Sequence, residues 1–337
     1  MLSSEFTGVR SIMGLQEFVV RRIAQLVFTF WVFVTMLFVL FRAAPGDPTS
    51  MYVTQGMSAE ARAATIRRLG LDQPLHQQYI DYIGQLLTGE FGTSFRYNEP
   101  VWDILVVKFW NTVILMGSAL LLAYVLGITF GALLGWYRGS SFERGGIIVA
   151  LMARSSPEFW TGIIILSIFS FGLGLFPSGG MRAVGTQPDS FMARYLAWDF
   201  VYHMILPMLA GAIYYMATPM LLMRNTMLDV LKADFIEIKK AEGLSERRIL
   251  FRHAARNSVL PLVTIIAIVS GTAIGGSLII ETVFNWPGMG REMVESISYN
   301  DYPVAMGTFF LMGSVVIIMN FFADLAYGYL DPRVQYD

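Results

Sequence analysis

The sequence predicts an all-α membrane protein with six transmembrane helices, both termini cytoplasmic, a helical extracytoplasmic insert and a cytoplasmic helical hairpin. Three observations lead there. The 337 residues are 55% hydrophobic and only 15% charged, against roughly a quarter charged in soluble domains. Six apolar runs reach the length of about 20 residues that crosses a bilayer; they cover 22–42, 112–136, 145–174, 203–226, 259–281 and 304–328. Lys and Arg are also unevenly placed. With the N-terminus inside, 3 lie before residue 23, 2 in 137–145, 8 in 224–258 and 1 after residue 328, together 14 of the 24. About nine fall on the opposite side and Arg154 falls within a span, so the positive-inside rule puts both termini and the 227–258 loop in the cytoplasm.

The expected organisation has three parts: 1–42, a cytoplasmic N-terminus and first span; 43–110, the insert; and 111–337, a five-helix core that includes the 227–258 loop. The first apolar run, Ile23 to Phe41 after Arg21-Arg22, is longer than the roughly 7–15 residues of a cleavable signal core and reads as a retained helix. In the insert, Ser58 followed by Glu60 and ended by Gly70 predicts a short helix over 58–69. After Pro74, Leu75, Tyr79, Tyr82, Ile83, Leu86 and Leu87 recur at helical spacing until Gly89, predicting a second helix along the membrane surface.

The second span carries Gly127, Gly131 and Gly135 on one face, two GxxxG steps that admit a close neighbour. The third contains ALMARSSPEFW (150–160). Arg154 and Glu158 are costly at that depth, roughly 2.5–3.5 kcal/mol on insertion scales. They either line a translocation path, with Pro157 between them, or pair across one helical turn as a self-satisfied kink. The fourth span has Pro207 and Pro219, expected kink sites. The fifth has Gly271, Gly275 and Gly276.

Between the fourth and fifth spans, Asp229 to Glu242 is expected as one helix and Glu246 to Ser258 as a second. Gly243 ends the first and Ser245 is a candidate N-cap for the second. The result is a compact knob, or alternatively an amphipathic hairpin held on anionic lipid by Lys239, Lys240, Arg247, Arg248 and Arg252. On the outer side, Trp286, Pro287 and Gly288 form a tight turn, read either as an interfacial anchor or as part of an outer gate or docking surface.

Several chemistries are excluded. The sequence has no GxxxxGK[ST] and no GxSxG, hence neither a nucleotide-gripping loop nor an obvious serine nucleophile. It has no Cys, and His76, His203 and His253 form no local metal motif, so no metal site and no catalytic residue is expected. A net charge of −1 argues against nucleic acid.

The tract DFIEIKKAEGLSERRILFRHAARNSVLP (234–261), with APGDP (44–48), GLDQPLHQQY (70–79), GEFGTSF (89–95), WPGMGR (286–291), DYPV (301–304) and LDPRVQYD (330–337), resembles ABC importer permeases of the dipeptide, oligopeptide and nickel branch over nearly the whole chain. The resemblance implies that the hairpin is a coupling loop, with Glu237, Ala241, Gly243, Leu244, Ser245, Arg252 and His253 facing an ATPase. Ile238 and Lys239 replace the two alanines of the general Glu-Ala-Ala motif, and Leu260-Pro261 come later than its general spacing. It further implies a non-catalytic subunit in the inner membrane of a prokaryote, paired with a second homologous permease. Two ATPase subunits would hold ATP and Mg, and an extracytoplasmic binding protein would deliver a peptide-like solute or oligosaccharide, with nickel as the alternative. The competing class is a channel or ion-coupled secondary transporter. It lacks support because no internal repeat is evident and Glu158 is nearly the only acid at depth.

Overall fold

The computed structural model describes residues 5–43, 58–68, 70, 72–186, 188, 190–259, 261–262 and 278–330. Among them the chain is helical, and the one β contact is an isolated bridge between Thr93 and Pro100. Among the described residues, four helices are long and apolar enough to cross a membrane: Glu17–Arg42 within α1 (Glu5–Ala43), α4 (Val101–Trp136), α8 (Trp198–Val230), and Tyr302–Leu325 within the last helix, Tyr302–Leu330.

The third predicted span is not one helix. It divides into α5 (Ser141–Ser155) and α6 (Glu158–Ile165), the latter continued by a π-helical Leu166–Gly172. Pro157 is the cause, since its ring disfavours helical geometry at the residue before it, and Ser156 is extended at ψ 134°. Arg154 and Glu158 therefore stand on separate helices rather than one turn apart on a continuous one. The fifth predicted span lies mostly outside the described residues, which omit 260 and 263–277 and with them Gly271, Gly275 and Gly276.

The insert follows its sequence pattern. Its helices are α2 (Ala59–Arg68) and α3 (Leu75–Thr88), and Gly89 takes the left-handed conformation at φ 74° that ends α3. Tyr82 and Leu86 are buried, whereas Leu75 and Leu87 are exposed. Phe38 of α1 packs edge-on against Tyr79, with ring centroids 5.2 Å apart, and the Thr35 and Tyr79 hydroxyls are hydrogen-bonded at 2.6 Å.

At the centre α4 and α8 run side by side in the same direction. Gly127 abuts the Met216 carbonyl and Pro219, Gly131 abuts Met220 and Met223, and Gly135 abuts Met227. The glycine stripe is thus the seam itself, bringing backbone against backbone. Because the two helices are parallel, the intervening α5, α6 and short α7 (Phe191–Tyr195) must return the chain to the opposite end of the bundle.

Candidate functional site

At one end of the seam lies the charged hairpin. It consists of α9 (Asp234–Ala241) and α10, a run of Glu246–Arg248, π-helical Ile249–Ala254 and Ala255–Ser258. The first arm is shorter than expected. Its anticipated start at Asp229 belongs to α8, which runs on to Val230 and then turns at Leu231–Ala233 before α9 begins.

Gly243 has φ +77° and forms the tip. Its N–H donates to the Lys240 carbonyl at 3.0 Å, and the Leu244 N–H donates to the Lys239 carbonyl at 3.3 Å. These are the paired bonds of a Schellman turn, and a left-handed residue at this position favours glycine. Ser245 stands at the N-cap of α10 but contributes no side-chain cap.

Alternation of apolar and charged residues gives the hairpin two faces. Ile236, Ile249, Leu250, Ala254 and Ala255 pack with Ala132, Met223, Met227 and Leu262, and Leu244 joins their edge. Glu237, Ala241, Gly243, Ser245 and Arg252 are exposed on the other face, whereas His253 is half-buried. Exposed Ile238 and Phe251 give that charged face an apolar component.

Polar ties join the hairpin to α8 and, within the bundle, α8 to α5. Thr226 on α8 donates to the Ser258 carbonyl at 3.0 Å, and the Ser258 hydroxyl reaches Met227 Sδ at 3.5 Å. Arg224 forms a second tie, its Nε donating to Glu143 Oε1 at 2.8 Å. Glu143 is the fourth residue of Ser140-x-x-Glu143, where Ser140 caps the Glu143 N–H at 3.2 Å and the Gly139 N–H donates to Glu143 Oε2 at 2.5 Å. The Arg224 hydrogen bond, aided by the Gly139 N–H, holds the Glu143 carboxyl below its ordinary value of 4.5.

That lowered value has a pH consequence. Stability from this tie is fully present above the ordinary carboxylate value and is lost as pH falls through the lowered one. Thermal unfolding of wild type and Glu143→Gln should therefore differ at neutral pH and converge in acid. A gap between them that is independent of pH would rule the tie out.

Midway along α4 and α8, Tyr124, Arg154, Tyr214, Tyr215, Thr218 and Pro219 enclose a cavity of about 300 Å³. Arg154 is exposed at its rim and Glu158 is half-buried beyond the Pro157 break. The sequence singled out Arg154, Pro157, Glu158 and Pro219; the three tyrosines carry no motif that would have marked them.

At the insert end, the WPGMGR turn sits inside the protein. Trp286 is 0% exposed, packs on Phe200 at 5.6 Å between ring centroids, and donates its indole N–H to the Asn111 carbonyl at 3.0 Å. Its indole faces the interior of the bundle. Gly288 is buried as well, and Pro287 is half-buried.

The turn is held by Glu281, which is fully buried in α11 (Leu278–Val283). The Thr112 hydroxyl donates to Glu281 Oε1 at 2.6 Å, and the Arg291 N–H, in the first turn of α12 (Met289–Ser298), donates to Oε2 at 2.9 Å. Glu281 is a second acid at depth, overlooked in the sequence because it ends an apolar run and reads as its boundary.

Around it, Lys108 pairs with buried Glu292 at 2.7 Å, Arg96 pairs with Glu295 at 2.8 Å, and Ser94 donates to Asp301 at 2.5 Å. Burial opposes ionisation of Glu295, but hydrogen bonds from Arg96 and Arg291 outweigh it and hold the carboxyl below its ordinary range. This lattice joins the insert loop to α12 and to α13 (Tyr302–Leu330).

The profile of the binding-protein-dependent transport system inner membrane component family matches residues 127–336, and that of its N-terminal region matches 15–116. The chain belongs to this family. It is 34% identical over 334 residues to the di/tripeptide transport system permease protein DppB of Pseudomonas aeruginosa, covering 95% of this chain and 99% of that one. It is 35% identical over 300 residues to the oligopeptide transport system permease protein AppB of Bacillus subtilis, covering 89% and 93%.

Among solved structures, the inward-facing MetNI methionine ABC transporter matches with a TM-score of 0.51 at 19% identity, covering 68% of this chain and 96% of that one. That likeness shows the permease fold. As a member of this family the protein is a multi-pass membrane transport component.

Proposed function

We propose that this permease is one of two homologous membrane subunits of an ABC importer for peptides, and that it converts closure of separate ATPase subunits into alternating access. The observation that carries the reading is the two-faced hairpin. One face is fixed to α4 and α8 by apolar packing and the Thr226–Ser258 bond, while the other presents Glu237, Gly243, Ser245 and Arg252 to the outside. A push on such a hairpin is delivered to α8 rather than absorbed in a loop.

In this mechanism the chain crosses the membrane six times with cytoplasmic termini, α5 and α6 serving as a broken third span. ATP and Mg are held by the ATPase subunits, an extracytoplasmic binding protein delivers solute at the insert end, and this chain performs no covalent step. The relatives named for di/tripeptides and oligopeptides favour a peptide over an oligosaccharide or nickel. Arg154, Pro157 and Glu158 border the path. The WPGMGR turn, with Trp286 and Gly288 buried, braces the outer end of the bundle in this reading.

The test is Gly243→Val. A β-branched residue at φ +77° costs about 1–2 kcal/mol and deforms the tip while leaving the buried face intact. The variant is expected to insert in the membrane and retain bound ATPase subunits, yet to lose uptake relative to ATP hydrolysed. Unchanged coupling stoichiometry would refute the hairpin's role.

A further inference from the structure

The cavity bounded by Tyr124, Arg154, Tyr215, Thr218 and Pro219 combines features that simple packing does not require. Tyr124 is 8% exposed, and its hydroxyl, out of contact with solvent, has no hydrogen-bond partner among the described residues. Arg154 forms no ion pair or hydrogen bond among the described residues, although a guanidinium at this depth is expected to be matched by a partner or by water. Pro219 has no N–H to give the Tyr215 carbonyl one turn earlier, so a backbone acceptor is released beside the same space. A forked cation thus stands at a space of about 300 Å³ whose walls include the residues carrying the unpaired hydroxyl and the released carbonyl, at the lower end of pockets that hold small molecules.

We propose that this cavity is a station on the transport path that holds the free terminal carboxylate of a peptide-like solute. The planar Arg154 fork takes the two carboxylate oxygens, the geometry for which arginine is suited over lysine. The Tyr124 hydroxyl and the Tyr215 carbonyl meet the adjoining amide. Such a station reads the constant end of a peptide and leaves its side chains unread. The inference rests on the reading that Arg154 borders the path, and the experiment separates the two.

The chain contains no cysteine, so a Thr218→Cys variant offers a single thiol in this subunit, and the partner subunits can be made cysteine-free. In assembled transporter in proteoliposomes, a thiol reagent is expected to label this position and block uptake. Protection is then measured with the binding protein left out, so that its own selectivity is not read. Dialanine should protect the thiol at roughly tenfold lower concentration than dialanine amide, the ratio expected for one charged hydrogen-bonded contact.

Adding Arg154→Gln should erase the difference between acid and amide, Arg154→Lys should restore part of it, and Tyr124→Phe should weaken protection by both. Recovery of ATPase subunits with each variant reports that it has folded. If labelling blocks uptake but acid and amide protect equally, the carboxylate assignment is overturned while the path reading survives. If labelling leaves uptake unaffected, both fail together.

Discussion

Gly131→Leu should abolish accumulation of the folded permease. A side chain at 131 begins with a Cβ placed 2.7 Å from Met223 Cβ and 3.1 Å from the Met220 carbonyl carbon. The obstacle is therefore partly backbone, which no change of rotamer moves. Overpacking a tight interior costs about 1–3 kcal/mol even where side chains can yield, and the cost here is at least of that order. Gly127 and Gly135 set the same spacing one turn away on either side, so the helices cannot relieve the clash by separating at 131 alone. Gly145, on the same chain but with open space around its Cβ position, is the control. Membrane levels and recovery with ATPase subunits should collapse for Gly131→Leu and hold for Gly145→Ala; equal recovery would mean that the α4–α8 seam is not what fixes the core.

Glu281→Leu should produce the second large effect, for the opposite reason. The volume fits, but the Thr112 hydroxyl and the Arg291 N–H lose an acceptor that lies 2.6 and 2.9 Å away. Each buried polar group left without a partner costs about 1–3 kcal/mol. The loss also releases the first turn of α12 and, through Arg291 and Glu295, the contact with Arg96 of the insert loop. Glu281→Gln keeps one acceptor oxygen and should fall between wild type and leucine. The melting temperature of the purified transporter orders the three, and a leucine variant as stable as wild type would show that the carboxylate supports nothing.

Much of this architecture could be read from residue order. The GxxxG spacing located the seam, the Gly243 and Gly89 positions located two helix ends, and apolar periodicity located α3. Local signals were available in each case. The errors share a different character. In the sequence Pro157 reads as a disturbance within one span, whereas it divides that span, because proline also constrains the residue before it.

Residue type alone leaves Trp286 open between an interfacial anchor and an outer gate or docking surface, because its surroundings come from Asn111 and Phe200, 175 and 86 positions away. The Glu143–Arg224 tie spans 81 positions. Nothing in a single sequence couples such pairs. Ser140-x-x-Glu143 has the local pattern of a helix start, but its second use, holding α8, exists only after folding.

Pro219 gives α8 the mechanics of a lever. Eleven residues separate it from Val230 at the helix end, about 17 Å at 1.5 Å each, so a tilt of roughly 10° about the proline would carry the lower end through about 3 Å. Because the fulcrum borders the cavity that contains Arg154, a stroke of that size at the membrane surface would be felt there as a change in aperture. Force and grip would then meet at one residue that lacks a hydrogen to donate.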